Sequence, residues 1–390
     1  MTDALPAAPG GGTTWRDPKR YLWLLGLVVP CFPFLAWALS SLTGLGLFWW
    51  IGPAIVYGLF PVLDRVIGKD SENPPDSALA YLERDRYYRW CTYLYLPLQY
   101  AGLVLACRWW SGSDLTGVDK IGLALTVAMV GGIGINTAHE LGHKKETAER
   151  RLAKIALAQT GYGHFYIEHN RGHHVNVATP EDPASSKLGE SFWRFLPRTA
   201  LGSLRSAWRL EKGRMERLGI HVLHPRNDVV NAWGLTLLLF VALTGIFGVE
   251  VLPYLLLQAV VGASLLEVVN YIEHYGLLRQ RVAGGRYERC TPQHSWNSNN
   301  VASNVFLYHL QRHSDHHANP TRRYQALRHD DHAPELPSGY ATMIVLAYVP
   351  PLWRSVMDPR VQAHYRGDLS MANVHRPERA RIAPALDADL

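Results

Sequence analysis

GVDKIGLALTVAMVGGIGINTAHELGHKKE, Gly117 to Glu146, joins two signals in one unbroken stretch. From Gly117 to Ala138 it is almost wholly apolar and about 20 residues long, the length that crosses a hydrocarbon core. It then runs directly into HELGH, where His139 and His143 stand four residues apart and so share one helix face, a single turn from each other. The stretch reads as a membrane helix that ends in a metal-gripping pair.

Five further stretches have the same length and apolar character. With the first they are roughly 21–42, 45–66, 90–110, 117–138, 231–249 and 251–272. Such runs are too long for barrel strands, and in lipid only helices and closed barrels satisfy the backbone. The expected fold is therefore an all-α integral membrane protein, one domain over 1–390, with six spans as three hairpins. Prolines 30, 33, 53, 61 and 97 predict kinks, and the small-residue run Gly131, Gly132 and Gly134 predicts close helix contact.

Loop charge sets the orientation, because Lys and Arg are retained on the cytoplasmic side. Of the 39 such residues only Arg108 and Lys120 fall toward the other side. Both termini are then cytoplasmic, and the regions 139–230 and 273–375 form a cytoplasmic, helical, histidine-rich cap. A bacterial inner membrane is the expected location. The net charge of +6 is not a nucleic-acid signal, since the basic residues border the spans and no nucleic-acid motif accompanies them. The first span lacks a small-residue cleavage site and reads as uncleaved. The run from Tyr340 to Trp353 is too short to span and reads as one buried or interfacial helix, and 376–390 as a disordered end or linker.

Nine histidines fall in four clusters: His139 and His143; His169, His173 and His174; His274; and His313, His316 and His317. Nine exceed the four to six positions around one zinc or iron ion, so at least two metal ions are implied. On a regular helix His169 and His173 share a face and His174 turns about 100° away, free to reach a second ion. Glu140, Glu168, Glu273 and Asp315 stand beside the clusters, placed to accept the second ring N–H of a ligand histidine, and His309 is a further supporting candidate. Glu267, inside the sixth span, is a functional candidate by its depth. The four cysteines show no C-x-x-C spacing and encode no iron–sulfur site.

HELGH also matches the H-E-x-x-H signature of zinc metalloproteases, with Glu140 as general base. A zinc hydrolase needs three protein ligands and would leave six histidines unexplained. A metal transporter would place its ligands near the bilayer midplane, whereas these sit at the span ends.

Taken together, NTAHELGHKKE (136–146), GYGHFYIEHNRGHHVNVATPEDPA (161–184), NYIEHYGLLR (270–279), GRYERCTPQHSWNSN (285–299) and LQRHSDHHANPTRRYQ (310–325) resemble the integral-membrane alkane 1-monooxygenases. These belong to the histidine-box superfamily of membrane desaturases and hydroxylases. The resemblance implies a non-haem di-iron site on all nine histidines, with electrons arriving from NAD(P)H through a reductase and rubredoxin. It also implies terminal hydroxylation of medium-chain n-alkanes with dioxygen; the alternatives within the superfamily are a lipid desaturase and a fatty-acid ω-hydroxylase. A bilayer-dissolved alkane would reach the metals through a channel between helices, for which Val56, Tyr57, Ile135, Leu266 and Asn270 are the expected lining. Lys144, Lys145, Arg312, Arg322 and Arg323 are the expected docking residues for an acidic electron donor.

Overall fold

The computed structural model describes residues 15–112 and 114–375. The tail read as a disordered end or linker, 376–390, lies outside them. In chain order the helices used below are α1 (Leu22–Thr43), α2 (Gly46–Ile67), α3 (Tyr95–Ser111), α4 (Gly117–Gly142), α5 (Thr147–Ala158), α6 (Phe192–Arg217), α7 (Asp228–Phe247), α8 (Val249–Glu273), α9 (His313–Ala318), α10 (Tyr340–Ala347) and α11 (Pro350–His364). Among the described residues there is no strand beyond isolated bridges such as Lys69 with Asn300.

Five of these helices, α1, α2, α4, α7 and α8, are long and apolar enough to cross a membrane. The third expected span is divided. Arg86–Tyr93 forms its own short helix, and α3 that follows has 17 residues, about 26 Å of rise.

The fourth span is the central post. In its most apolar window 89% of residues are buried, against 22% in α2 and 17% in α7, so α4 is sheathed by protein while α2 and α7 face outward. A helix surrounded on all sides needs apolar residues all round, which is what its sequence supplies. Its start is fixed by a capping box: Thr116 Oγ1 accepts from the Asp119 N–H (3.2 Å) and Asp119 Oδ2 from the Thr116 N–H (3.0 Å). Packing against α8 is backbone to backbone. A Cβ on Gly132 would sit 2.9 Å from the Gly262 carbonyl oxygen, and one on Gly262 3.1 Å from that of Ala128.

Prolines mark the departures from regular geometry. Leu22–Cys31 is a 3-10 stretch containing Pro30, and Pro33 and Pro61 stand inside α1 and α2 at the points where regular α geometry resumes. Ile55–Leu59, just before Pro61, is a π turn. The expected single helix from Tyr340 to Trp353 is instead two, α10 and α11, broken before Pro350; a proline pair stops one helix and starts the next.

Contacts place the chain's turns at two ends. At the histidine end the Tyr324 hydroxyl donates to the Tyr88 carbonyl (3.0 Å), the Asp70 N–H to that of Asn299 (2.8 Å), and the Trp296 N–H to that of Glu273 (2.8 Å). At the opposite end Trp110 Nε1–H donates to the Glu250 carbonyl (2.6 Å). Tyr88 stands just before α3 and Trp110 in its last turn, so α3 runs from one end to the other.

Candidate metal centre

The last turn of α4 delivers His139, and His143 follows immediately. His274 is the first residue after α8, and α9 carries the HSDHH cluster. Because α4 and α8 touch along their glycine faces, their ends bring the two clusters together.

The nine imidazoles form two groups. His139, His143, His169, His174 and His316 make one, and His173, His274, His313 and His317 the other; within each group the candidate ligand atoms all lie within 4.8 Å of one another. The division of 169–174 differs from the regular-helix expectation, which paired His169 with His173. The reason is local. His169–His173 is a π turn in which the His174 N–H bonds to the His169 carbonyl, five residues back. The widened turn brings residue i+5, not i+4, round to His169, and their Nε2 atoms stand 3.2 Å apart. On α9 the ordinary period holds, so His313 and His317 share one group and His316 turns to the other.

The spacing and chemistry fit metal ions. Nε2 atoms face each other at 2.9 Å (His139–His316) and 3.2 Å (His316–His174) in the first group, and at 2.9 Å (His313–His317) and 3.2 Å (His313–His274) in the second. Two ligands each about 2.1 Å from one ion are separated by roughly 3 Å at right angles and slightly more at tetrahedral angles. The Nε2 atoms of His143 and His173 are buried with no hydrogen-bond partner at all. A cation at the centre of each group would answer every one of these lone pairs.

Burial, reinforced by neighbouring imidazoles, holds His143, His169, His174, His313, His316 and His317 well below the usual histidine range, and burial first of all pushes His274 down to about 3. These rings are uncharged at neutral pH, the state that ligates. His174 is the only one of the nine that is not fully buried.

Two of the second ring nitrogens are anchored, by groups other than those expected, while Nδ1 of His313 and of His317 is buried without a hydrogen-bond partner. His173 Nδ1 lies 2.9 Å from Asp182 Oδ2, which also accepts from Ser185 Oγ (2.6 Å), and His274 Nδ1–H donates to the His294 carbonyl (2.9 Å). Asp182 escaped sequence reasoning because it lies nine positions after its histidine, beyond any helical spacing; the acidic EDP that closes the second box is the signal that was there to be used. Of the four expected carboxylates, Glu140 pairs with Lys144 (3.0 Å), Asp315 is held by Arg322 (2.6 Å to each oxygen), and Glu168 is buried with its Oε1 lacking any hydrogen-bond partner. None of the three anchors a ring. Glu273 alone meets a clustered histidine, with Oε2 3.3 Å from His313 Nε2, the inward nitrogen, while Oε1 accepts from the Tyr340 hydroxyl (3.2 Å). His309 belongs to neither group. It and Tyr308 are left-handed (φ 53° and 50°), and its Nδ1–H donates to the Tyr324 carbonyl (2.9 Å), bracing the turn that launches α9.

A narrow apolar cavity of about 40 Å³ lies between α2, α4, α8 and α10. Val56 and Leu266 line it as expected, with Gly132, Asn136, Leu310 and Ile344. It ends at Asn136 and Leu310, each three residues before a clustered histidine. The other three expected residues are turned elsewhere: Tyr57 meets the Tyr348 hydroxyl (3.3 Å), Ile135 is fully buried outside the lining, and Asn270 donates to Glu267 (3.3 Å).

The expected docking cations are mostly committed inside. Lys144 and Arg312 are buried, Lys144 on Glu140 and Arg312 donating to the Leu327 (2.8 Å) and Glu72 (3.0 Å) carbonyls. Arg323 is buried against Glu149 (3.0 Å) and Arg322 is paired with Asp315. Charged groups beside membrane spans pair with each other before they serve a partner, which single-sequence reading does not reveal. Lys145 alone of the five is exposed.

A family model described as fatty acid desaturase matches residues 121–347. The chain is 46% identical over 374 residues to the alkane 1-monooxygenase of Acinetobacter baylyi, covering 94% of this chain and 90% of that one. It is 46% identical over 364 residues to the alkane 1-monooxygenase of Pseudomonas putida, covering 93% and 90%. With alkane 1-monooxygenase 1 of Alcanivorax borkumensis the identity is 45% over 370 residues, covering 95% and 91%.

Proposed function

The chain belongs to the alkane 1-monooxygenase family of desaturase-type integral membrane proteins, and from that premise we propose that it hydroxylates the terminal carbon of medium-chain n-alkanes at a pair of iron ions held by the nine histidines. The observation that carries this reading is the convergence of nine imidazoles into two buried groups. Nitrogen donors of this kind also suit zinc or copper, so the family is what favours iron.

The balance is R–CH3 + O2 + 2e⁻ + 2H⁺ → R–CH2OH + H2O. A redox-active metal pair supplies the dioxygen chemistry when bound. The chain's own residues do the rest. Leu310 and Asn136 bring the end of the apolar cavity to the histidines, so a chain entering from the bilayer meets them end-on, and terminal selectivity follows from that geometry. Buried neutral rings and the sheath around α4 keep bulk water out.

Six crossings are the topology this reading adopts, with α3 as the sixth, because its two flanks lie at opposite ends of the bundle. The histidine end is cytoplasmic by the charge rule, which puts both termini inside a bacterial inner membrane. Rubredoxin, fed by an NAD(P)H-dependent reductase, delivers the electrons. It docks over His174, the least buried of the nine clustered histidines, where Val175 is 63% exposed and Lys145 supplies charge.

Purified protein carrying iron, given octane, labelled dioxygen, rubredoxin and its reductase, is expected to yield labelled 1-octanol. An alkene, or ω-hydroxylation of fatty acids in preference to octane, would overturn the assignment. Val56→Trp is expected to shorten the longest alkane accepted, because the indole fills the cavity wall; an unchanged chain-length profile would remove Val56 from the channel. Val175→Glu is expected to raise the rubredoxin KM roughly tenfold, the effect of losing one central apolar contact, with metal content unchanged. An unaltered KM would move the docking face elsewhere.

A further inference from the structure

A second and much larger apolar space lies on the other face of α8. This groove, about 690 Å³, is bounded by α6, α7 and α8. Leu237, Leu256 and Val260 on its outer walls are each more than half exposed on spans that face hydrocarbon, so it opens to the bilayer. The cavity over Val56 uses Leu265, Leu266 and Val269 of the same helix. One helix therefore separates the two spaces.

The groove is not uniformly greasy. Glu267, 1% exposed, lines it at the end nearer the histidines. Its Oε1 accepts from the Tyr162 hydroxyl (2.6 Å), and its Oε2 from Thr199 Oγ1 (2.9 Å) and Asn270 Nδ2 (3.3 Å). A carboxylate offers about four acceptor positions, so three donors leave room for one more. Tyr162 packs on Phe165 (6.5 Å between centroids), which stacks on His169 (4.7 Å). Two aromatic rings thus stand between the polar end of the groove and the metal centre. A buried acceptor at the end of an apolar wall discriminates: a chain with a terminal O–H satisfies it, and a chain ending in methyl does not.

We infer that this groove binds an unbranched alkyl chain ending in a hydroxyl, the chain lying along α7 and α8 and the hydroxyl donating to Glu267. The occupant is the 1-alkanol product on its way from the metal centre to the bilayer, an identity that rests on the function proposed above. Substrate and product then use opposite faces of α8.

The test is photolabelling of the full chain in lipid nanodiscs with diazirine-bearing 1-decanol and, separately, matched diazirine-bearing decane, with labelled peptides mapped by mass spectrometry. The alkanol probe is expected to label 256–264 with roughly tenfold preference over the alkane, the discrimination of one hydrogen bond to a charged group. Excess 1-decanol should suppress that labelling and excess decane should not. Glu267→Leu is expected to abolish the preference, and Ala263→Trp, on the groove wall, to abolish the labelling while iron content stays unchanged. Equal labelling by both probes would reduce the groove to ordinary lipid contact, and alkanol labelling confined to the residues around Val56 and Leu266 would place the product in the substrate cavity; either overturns the inference. None of these readouts needs turnover, so a chain unable to hydroxylate alkanes would refute the proposed function and leave the labelling result to stand or fall by itself.

Discussion

His274→Ala is expected to empty the four-histidine group and leave the five-histidine group loaded, halving iron per chain and abolishing alkane turnover. His274 is one of only four candidate ligands in its group, and its loss leaves His173, His313 and His317 with Glu273 beside them. His169→Ala takes one of five, so four imidazoles remain to hold the ion, enough for a tetrahedral set. The two variants should therefore differ: iron near half in His274→Ala, and closer to the full complement in His169→Ala. Elemental mass spectrometry of purified protein reads both numbers without an electron donor. Equal and complete iron loss in both variants would show that the two groups bind as one unit, and one zinc with no iron in wild-type protein would revive the metalloprotease reading of HELGH.

The second large effect is expected at Asp182, which lies beyond the histidines of its own segment. Its carboxylate, 1% exposed and held by Ser185, fixes the ring of His173 through Nδ1 and so aims Nε2 inward. Outer partners of this kind are worth roughly 10- to 100-fold in metal affinity. Asp182→Ala is expected to lose affinity on that scale at the four-histidine group, measured by competition with a chelator, while far-UV circular dichroism stays helical. Asp182→Asn keeps an acceptor oxygen in the same place and is expected to recover part of the loss. Affinity unchanged in both variants would mean that packing alone orients His173.

Much of the site was legible because metal ligation needs particular residue types at particular short spacings. The pair His139 and His143, the H-S-D-H-H run and the lone His274 at a span end all follow from helical period and apolar length, and the structure gathers them with the others into two groups. Long-range partners were not legible. Nothing in the spacing says that Lys144 turns inward to Glu140, that Arg312 caps distant carbonyls, or that Glu140 and Asp315 spend their charge away from the rings. Burying a charge beside a membrane is costly, so such groups find whatever opposite charge or carbonyl the fold brings near, and that choice belongs to the fold. Glu267 shows both sides: its depth in the apolar run marked it as unusual, while the groove it lines appears only once α6 and α7 stand against α8.

By itself the sequence determined the membrane helices and the nine imidazoles at their ends, because hydrophobic length and the i, i+4 period are properties of a local segment. Tertiary structure decided which imidazole joins which group. The π turn at His169–His173 sends His174, not His173, back to His169, and it is held in place by tertiary contacts, Arg171 pairing with Glu211 of α6 and the histidine rings meeting His139 and His316. It also decided where apolar space lies inside the bundle, since a cavity is the space that several helices leave between them, and no single segment encodes it.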